Sequence, residues 1–322
     1  MNVTRAKCAG ACYGVQRALN MALDTVSEGS RAVTLGPLIH NPQVVAQLAE
    51  RGIRAVENPD QAVEGSVIIR SHGVTPQVRR RIEARGLPVV DATCPHVARA
   101  QKAAAKLARE CGRVVVVGEA GHPEVEGLVA YAREAGGEVL VAGREADVPA
   151  GLSGKVGVVV QTTQTREAFE EVLAALRDRG VECVVKDTVC LATRERQESA
   201  AALAREVDAM IVIGGRNSSN TTRLAEICSS VCGNTHHIER ASELDPVWFD
   251  RCTEVGITAG ASTPEDQIAA VEARIASLGW SGPFYSLKAC GLVEGAASCA
   301  ALLSHEIEAP EGSRAYISSV PK

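Results

Sequence analysis

Aromatic residues are scarce in this chain. Phe, Trp and Tyr make up only 3% of its 322 residues, so a core has to be assembled from Val, Ile, Leu and Ala. Positive charge is not in excess either; the formal net charge is -5. That argues against a nucleic-acid partner, which needs a basic surface to neutralise phosphates. It leaves room for a small anionic substrate, because a local pocket can oppose the global charge. Long apolar runs are missing: nowhere do 18 consecutive apolar residues occur, so no membrane span is expected. The stretch Met1 to Gly14 holds no apolar run of signal-peptide length. A cytoplasmic protein is the expectation. In that compartment the eleven cysteines should be reduced thiols, metal ligands or catalytic groups. About eight of the eleven are expected to be small buried hydrophobes. No Gly-x-x-x-x-Gly-Lys-Ser/Thr loop is present, which excludes a nucleotide P-loop.

Short apolar runs alternate instead with amphipathic stretches. Strands are expected at Ala32–Leu35, Val67–Ile69, Val89–Val90, Val114–Val117, Val156–Val160, Met210–Ile213 and Val255–Ile257. Helical patterns lie between them, as at Val97 to Ala108 and Glu167 to Leu176. Strands apolar on both faces, alternating with helices, imply an α/β fold with mostly parallel sheets.

A faint repeat subdivides that pattern. Ala9-Gly-Ala-Cys12, Asp91-Ala-Thr-Cys94 and Asp187-Thr-Val-Cys190 each deliver a cysteine to the start of a helical pattern. The spacings, 82 and then 96 residues, suit one lobe per cysteine. Three similar α/β lobes around a shared centre are expected: residues 13–94, residues 95–189, and residues 1–12 with 190–287, followed by a C-terminal tail at 288–322. A single doubly wound sheet is the alternative.

Cysteine at a helix N-terminus feels the positive end of the helix dipole, which favours the thiolate. Three such thiolates meeting at one point form a soft anionic cage, suited to zinc or an iron–sulfur cluster. The wide sequence separation suits a cluster between lobes better than a zinc knuckle. A [4Fe–4S] cluster usually takes four cysteines; with three, one iron is left open for a substrate. Other strand ends carry hydrogen-bonding residues around His40, His72, His122, Thr162, Ser218, Ser219, Asn220 and Ser262. Ligands bind beyond the carboxyl ends of parallel strands, and such donors suit phosphate oxygens. Glu124, two residues after His122 in a glycine-flanked loop, is a candidate for proton transfer. Glu126 reads as a solvated neighbour.

These segments, from Cys12-Tyr-Gly-Val-Gln-Arg-Ala through Gly121-His-Pro-Glu-Val-Glu-Gly to Thr258-Ala-Gly-Ala-Ser, together resemble the 4-hydroxy-3-methylbut-2-enyl diphosphate reductase family. Enzymes of that family close the methylerythritol phosphate route to isoprenoids. The resemblance runs from about Cys12 to about Leu278 with the motifs in order. It implies a pseudo-threefold arrangement around a [4Fe–4S] cluster held by Cys12, Cys94 and Cys190. It implies that His40, His72, His122, Thr162, Ser218, Ser219, Asn220 and Ser262 bind the substrate, and that Glu124, Thr162 and His122 relay protons. Ferredoxin or flavodoxin would supply electrons. Cys8 stands four residues ahead of Cys12, and the resemblance favours Cys12. Ala11 occupies a place where a bulky aromatic is expected, and Cys228 with Cys232 matches nothing in the family. A zinc-dependent phosphohydrolase and a non-catalytic iron–sulfur sensor or electron carrier are the competing readings.

Overall fold

The computed structural model describes residues 1–26 and 31–278. The chain opens with strand β1 (Asn2–Arg5) and helix α1 (Tyr13–Thr25). It continues through β2 (Ala32–Leu35), α2 (Pro42–Glu50), β3 (Ile53–Val56), β4 (Ser66–Ile69), α3 (Pro76–Glu83), β5 (Val89–Asp91) and α4 (Pro95–Cys111). Then come β6 (Arg113–Val117), α5 (Pro123–Glu134), β7 (Glu138–Ala142), β8 (Lys155–Val160), α6 (Arg166–Asp178), β9 (Glu182–Lys186) and α7 (Leu191–Ala204). The last elements are β10 (Ala209–Ile213), α8 (Ser219–Ser229), β11 (Thr235–Ile238), β12 (Glu254–Ala259) and α9 (Glu265–Leu278).

The strands form three four-stranded sheets with parallel pairing throughout. Their orders are β3-β2-β4-β5, β7-β6-β8-β9 and β11-β10-β12-β1. These are one order used three times, provided that β1 counts as the fourth strand of the last sheet. The chain's first strand therefore completes its final lobe, in register from Asn2 beside Glu254 to Arg5 beside Ile257. Three separate sheets replace the single doubly wound sheet of the alternative reading.

All seven expected strands are present. The strands not expected, β1, β3, β7, β9 and β11, are all sheet edges, and no more than one residue in each is buried. Half-exposed edges carry no continuous apolar run to read, unlike β2 and β10, which are buried throughout. The cores are aliphatic. Val115, Val117, Val156, Val158 and Val160 pack on Leu173 and Leu176 in the middle lobe. Ile211, Ile213 and Ile257 pack on Ile268, Val271 and Ile275 in the last. The tail at 288–322, with Cys290 and Cys299, and residues 279–287 lie outside the described residues.

Candidate active site

The three sheets bring equivalent loops together. In each lobe the fourth strand feeds a loop that ends in a cysteine, and that cysteine is the N-cap of the next helix. Cys12 caps α1, Cys94 caps α4 and Cys190 caps α7. Each cysteine backbone N–H donates to the loop after the third strand of its own lobe. The acceptors are the carbonyls of Ala261 (3.1 Å), Ser71 (2.9 Å) and Thr162 (3.0 Å). The sequence repeat is thus a repeat of hydrogen bonding. Proline at the first position of α4 fits the helix start, where no amide partner is needed.

The three cysteines line one cavity. Gly14 shows how tightly two of them approach: a Cβ built there would lie 2.5 Å from Cys94 Sγ and 3.9 Å from Cys12 Sγ. Among the described residues, no three His, Cys, Asp or Glu side chains converge on the position of a single metal ion. Arg196 of α7 also lines the cavity and is buried. It donates to the carbonyls of Gly10 (2.7 Å) and Ala192 (3.0 Å), and its Nε finds no partner. No carboxylate pairs with it among the described residues. Burial lowers its pKa, and the neighbouring Cys12, Cys8 and Cys190 oppose that effect. A buried cation needs a nearby anion, and three cysteine thiolates holding a cluster would supply one. The donor set therefore fits an anionic iron–sulfur group. The N-terminal position does not by itself make a thiolate, however. Burial pushes the Cys94 thiol up, against the amides of His96 and Val97, which pull it down.

The other two loops of each lobe supply the rest of the cavity lining. The loops after the first strands place His40 beside the N-cap Asn41, His122 as the N-cap of α5, and Ser218 as the N-cap of α8. The loops after the third strands place His72, Thr162 and Ser262. All of these residues except Asn41, together with Glu124, Ser219 and Asn220, line the same cavity as the cysteines. The histidine rings form a cluster with centroids 4.2 Å (His40–His72), 5.5 Å (His40–His122) and 5.8 Å (His72–His122) apart. Burial holds all three toward the neutral form: His40 is pushed down to about 4, His72 well below the usual range, and His122 lower than usual. His122 Nδ1 accepts the Glu124 N–H at 3.1 Å, so the neutral ring carries its proton on Nε2.

Several groups in the cavity are unsatisfied. Both ring nitrogens of His40, Nδ1 of His72 and both amide atoms of Asn220 are buried without partners. Buried polar groups are normally hydrogen-bonded, so this set is arranged to receive a polar ligand. Ser218 Oγ accepts the Thr221 N–H, which leaves its proton available. Ser262 differs: it donates to the His40 carbonyl at 2.9 Å and so ties the last lobe to the first. Glu124 is 1% exposed and accepts from Thr162 N–H at 2.7 Å and Thr162 Oγ at 2.8 Å. Burial pushes its carboxyl up, against those two bonds. Glu126 is exposed, as expected.

Cys8 does not line the cavity, and its N–H is held by Ser199. Cys228 and Cys232 are core thiols against Ala200 and Leu203, and burial pushes Cys228 up to about 12. Ala11 is exposed, so nothing bulky is packed there. Sequence reasoning missed Thr193 and Arg196 as cavity residues. Thr193 and Arg196 lie three and six positions after Cys190, a helical spacing that places them on one face of α7.

The sequence matches the LytB protein family over residues 3–276. It is 47% identical over 279 residues to a 4-hydroxy-3-methylbut-2-enyl diphosphate reductase of Pelobacter propionicus, covering 86% of this chain and 99% of that one. Identity to the protein of the same name from Geotalea daltonii is 48%, covering 82% and 93%. A solved structure of (E)-4-hydroxy-3-methyl-but-2-enyl diphosphate reductase, described as the terminal enzyme of the non-mevalonate pathway, aligns with a TM-score of 0.64. It shares 43% identity, over 86% of this chain and 100% of that chain. The E-1-hydroxy-2-methyl-but-2-enyl-4-diphosphate reductase of Plasmodium falciparum shares the fold at a TM-score of 0.76 and 23% identity, over 88% and 89% of the two chains. Agreement over nearly the whole described chain, together with three like sheets converging on one thiol-lined cavity, leads to one assignment: this chain belongs to the LytB family, the family of the 4-hydroxy-3-methylbut-2-enyl diphosphate reductases.

Proposed function

We propose that the protein reduces 4-hydroxy-3-methylbut-2-enyl diphosphate to isopentenyl diphosphate and dimethylallyl diphosphate. The C–O bond to the allylic hydroxyl breaks, two electrons and two protons are taken up, and water leaves. The observation that carries this reading is one cavity lined together by three cysteines, by unsatisfied hydrogen-bonding groups and by a buried carboxyl. A [4Fe–4S] cluster held by Cys12, Cys94 and Cys190 would supply the electrons and, at an iron without a protein thiolate, Lewis acidity toward the hydroxyl.

The chain's own residues do the rest. His40, His72, Ser218, Ser219 and Asn220 bind the diphosphate as neutral donors, and His122 adds its Nε2–H. Ser262 holds the His40 loop in place. A diphosphate fixed at one end positions the far hydroxyl against the thiols. Glu124, whose charged form burial disfavours, delivers a proton to the departing oxygen. Thr162 orients the Glu124 carboxyl through both its N–H and its hydroxyl. The remaining allylic fragment then takes a proton at either of two carbons, which accounts for two products. Ferredoxin or flavodoxin as donor, a cytoplasmic location, and lobes at residues 13–94, 95–189 and 1–12 with 190–287 belong to the same reading. No helix among the described residues is long and apolar enough to cross a membrane. A simple electron carrier would give the Glu124–Thr162 pair no task.

The test is Glu124→Gln in anaerobically loaded protein, with reduced methyl viologen as donor. Iron and sulfide content should match the wild type, while substrate-dependent oxidation falls by about 10²–10⁴-fold, the contribution of a positioned proton donor. Full turnover in that variant would remove Glu124 from the mechanism. No substrate-dependent oxidation by fully loaded wild-type protein would overturn the function.

A further inference from the structure

One cavity-lining donor, Ser219, is already bonded to an anion of the protein's own that sits just outside the lining. Ser219, at the start of α8, donates its hydroxyl to Glu119 Oε2. One turn later on the same face of α8, Arg223 Nη2 donates to Glu119 Oε1 at 2.8 Å. Glu119 lies in the loop after β6, and its N–H donates to Gln161 Oε1 at 3.0 Å, which anchors the loop to its own lobe. The carboxylate therefore bridges the middle lobe and α8 of the last lobe. It also reaches His40 and His122, whose pKa values it raises against burial.

A serine hydroxyl has one proton to donate. Ser219 cannot give it to Glu119 and to a diphosphate oxygen at once. Arg223, whose side chain is 18% exposed, pairs with the same carboxylate and, at 3.7 Å, with Glu226 of its own helix. A diphosphate approaching this lining meets a negative group seated on two of its own donors.

We propose that Glu119 is a competitive latch, which holds Ser219 and Arg223 in the ligand-free protein and is displaced when a diphosphate takes them. This rests on the diphosphate site proposed above and adds Glu119 and Arg223 to it as residues that set affinity. Displacement hands the neutral pocket a guanidinium. The latch thus costs affinity for every ligand and selects those with enough negative charge to replace it.

The experiment uses holoenzyme and two readouts: KM for the allylic diphosphate, and the calorimetric Kd for inorganic diphosphate. Glu119→Gln keeps the side chain's shape, gives Ser219 a weaker acceptor and leaves Arg223 only its longer contact with Glu226. Both constants should fall about fivefold or more, the lower range of typical coupling between linked binding events, with the change in KM exceeding that in kcat. Arg223→Gln should raise both constants, because it leaves an unpaired carboxylate beside the ligand. Adding Glu119→Gln to that variant should remove most of the rise. Unchanged or weaker diphosphate binding in Glu119→Gln would overturn the latch and mark the contact as an interlobe clasp only. Tighter inorganic diphosphate binding in Glu119→Gln, with no turnover by loaded wild-type protein, would uphold the latch and sink the reductase reading.

Discussion

Gly14→Ala tests the cysteine cage directly. Gly14 is the second residue of α1, and its backbone is not in the left-handed region. Alanine is the better helix former by up to about 1 kcal/mol, so local structure alone favours the substitution. Packing does not. The new methyl would sit 2.5 Å from Cys94 Sγ and 3.3 Å from its Cβ, against ordinary contacts of about 3.5–4.0 Å. Relief has two routes. Cys94 can turn about χ1, which takes its sulfur out of the cage, or α1 can shift, which carries its own N-cap, Cys12, along. Both routes displace a proposed ligand, and only where neither is open does overpacking cost about 1–3 kcal/mol. In the metal-free protein the rotation of one thiol is cheap, so the apo melting temperature should stay near the wild-type value. After anaerobic reconstitution, iron, acid-labile sulfide and visible absorbance per chain should drop sharply, and turnover with them. Gly233→Ala is the control: it is exposed, nothing lies within 4 Å of its new methyl, and its backbone is not left-handed. Wild-type cluster loading and turnover in Gly14→Ala would refute the claim that Cys12 and Cys94 must approach this closely.

Arg196→Met keeps length and removes the buried cation beside the thiols. One unit charge several ångströms away, at an effective dielectric near 20, is worth about 1–2 kcal/mol. The reduction potential should therefore fall by roughly 60 mV or more, since about 1.4 kcal/mol corresponds to about 59 mV for one electron. An anaerobic redox titration followed by electron paramagnetic resonance reads this shift, Arg196→Lys should largely prevent it, and an unchanged potential in Arg196→Met would remove the counter-charge role. The histidine cluster sets an acid limit. His40, His72 and His122 have depressed pKa values in the fold, so their stabilising contribution is fully present above about pH 6.5 and is lost as pH falls, for His40 through about 4. Urea denaturation of the ligand-free protein should show stability falling across that interval, and His40→Gln should flatten the fall; equal slopes would reject the assignment. Glu124 has the opposite sign, because its raised pKa adds stability below the usual carboxylate range that is lost as pH rises through the raised value. Glu124→Gln should remove that component from the same titration.

Much of this site is legible in the sequence. Aliphatic runs mark every central strand, because a strand buried on both faces has no other way to be written. The three cysteines can be paired as equivalents, because each lobe repeats the same route from fourth strand to helix N-cap. Asn41, Thr75, Thr165 and Ser218 mark helix starts with side chains that satisfy local amides, a short-range rule visible in sequence. Every edge strand but β5 stays hidden, since edge burial depends on what covers it.

Sequence alone determined which residues were chemically able to serve: the thiols at helix starts, the polar strand ends and the carboxyl of Glu124. Only the tertiary structure decided what each of them does. It paired β1 with β12, buried Glu124 on Thr162, committed Ser262 to the His40 carbonyl, and set Glu119 against Ser219 and Arg223 from about a hundred residues away. Composition and period act over a few residues. Burial, desolvation and competition for a single hydroxyl proton exist only once distant segments meet.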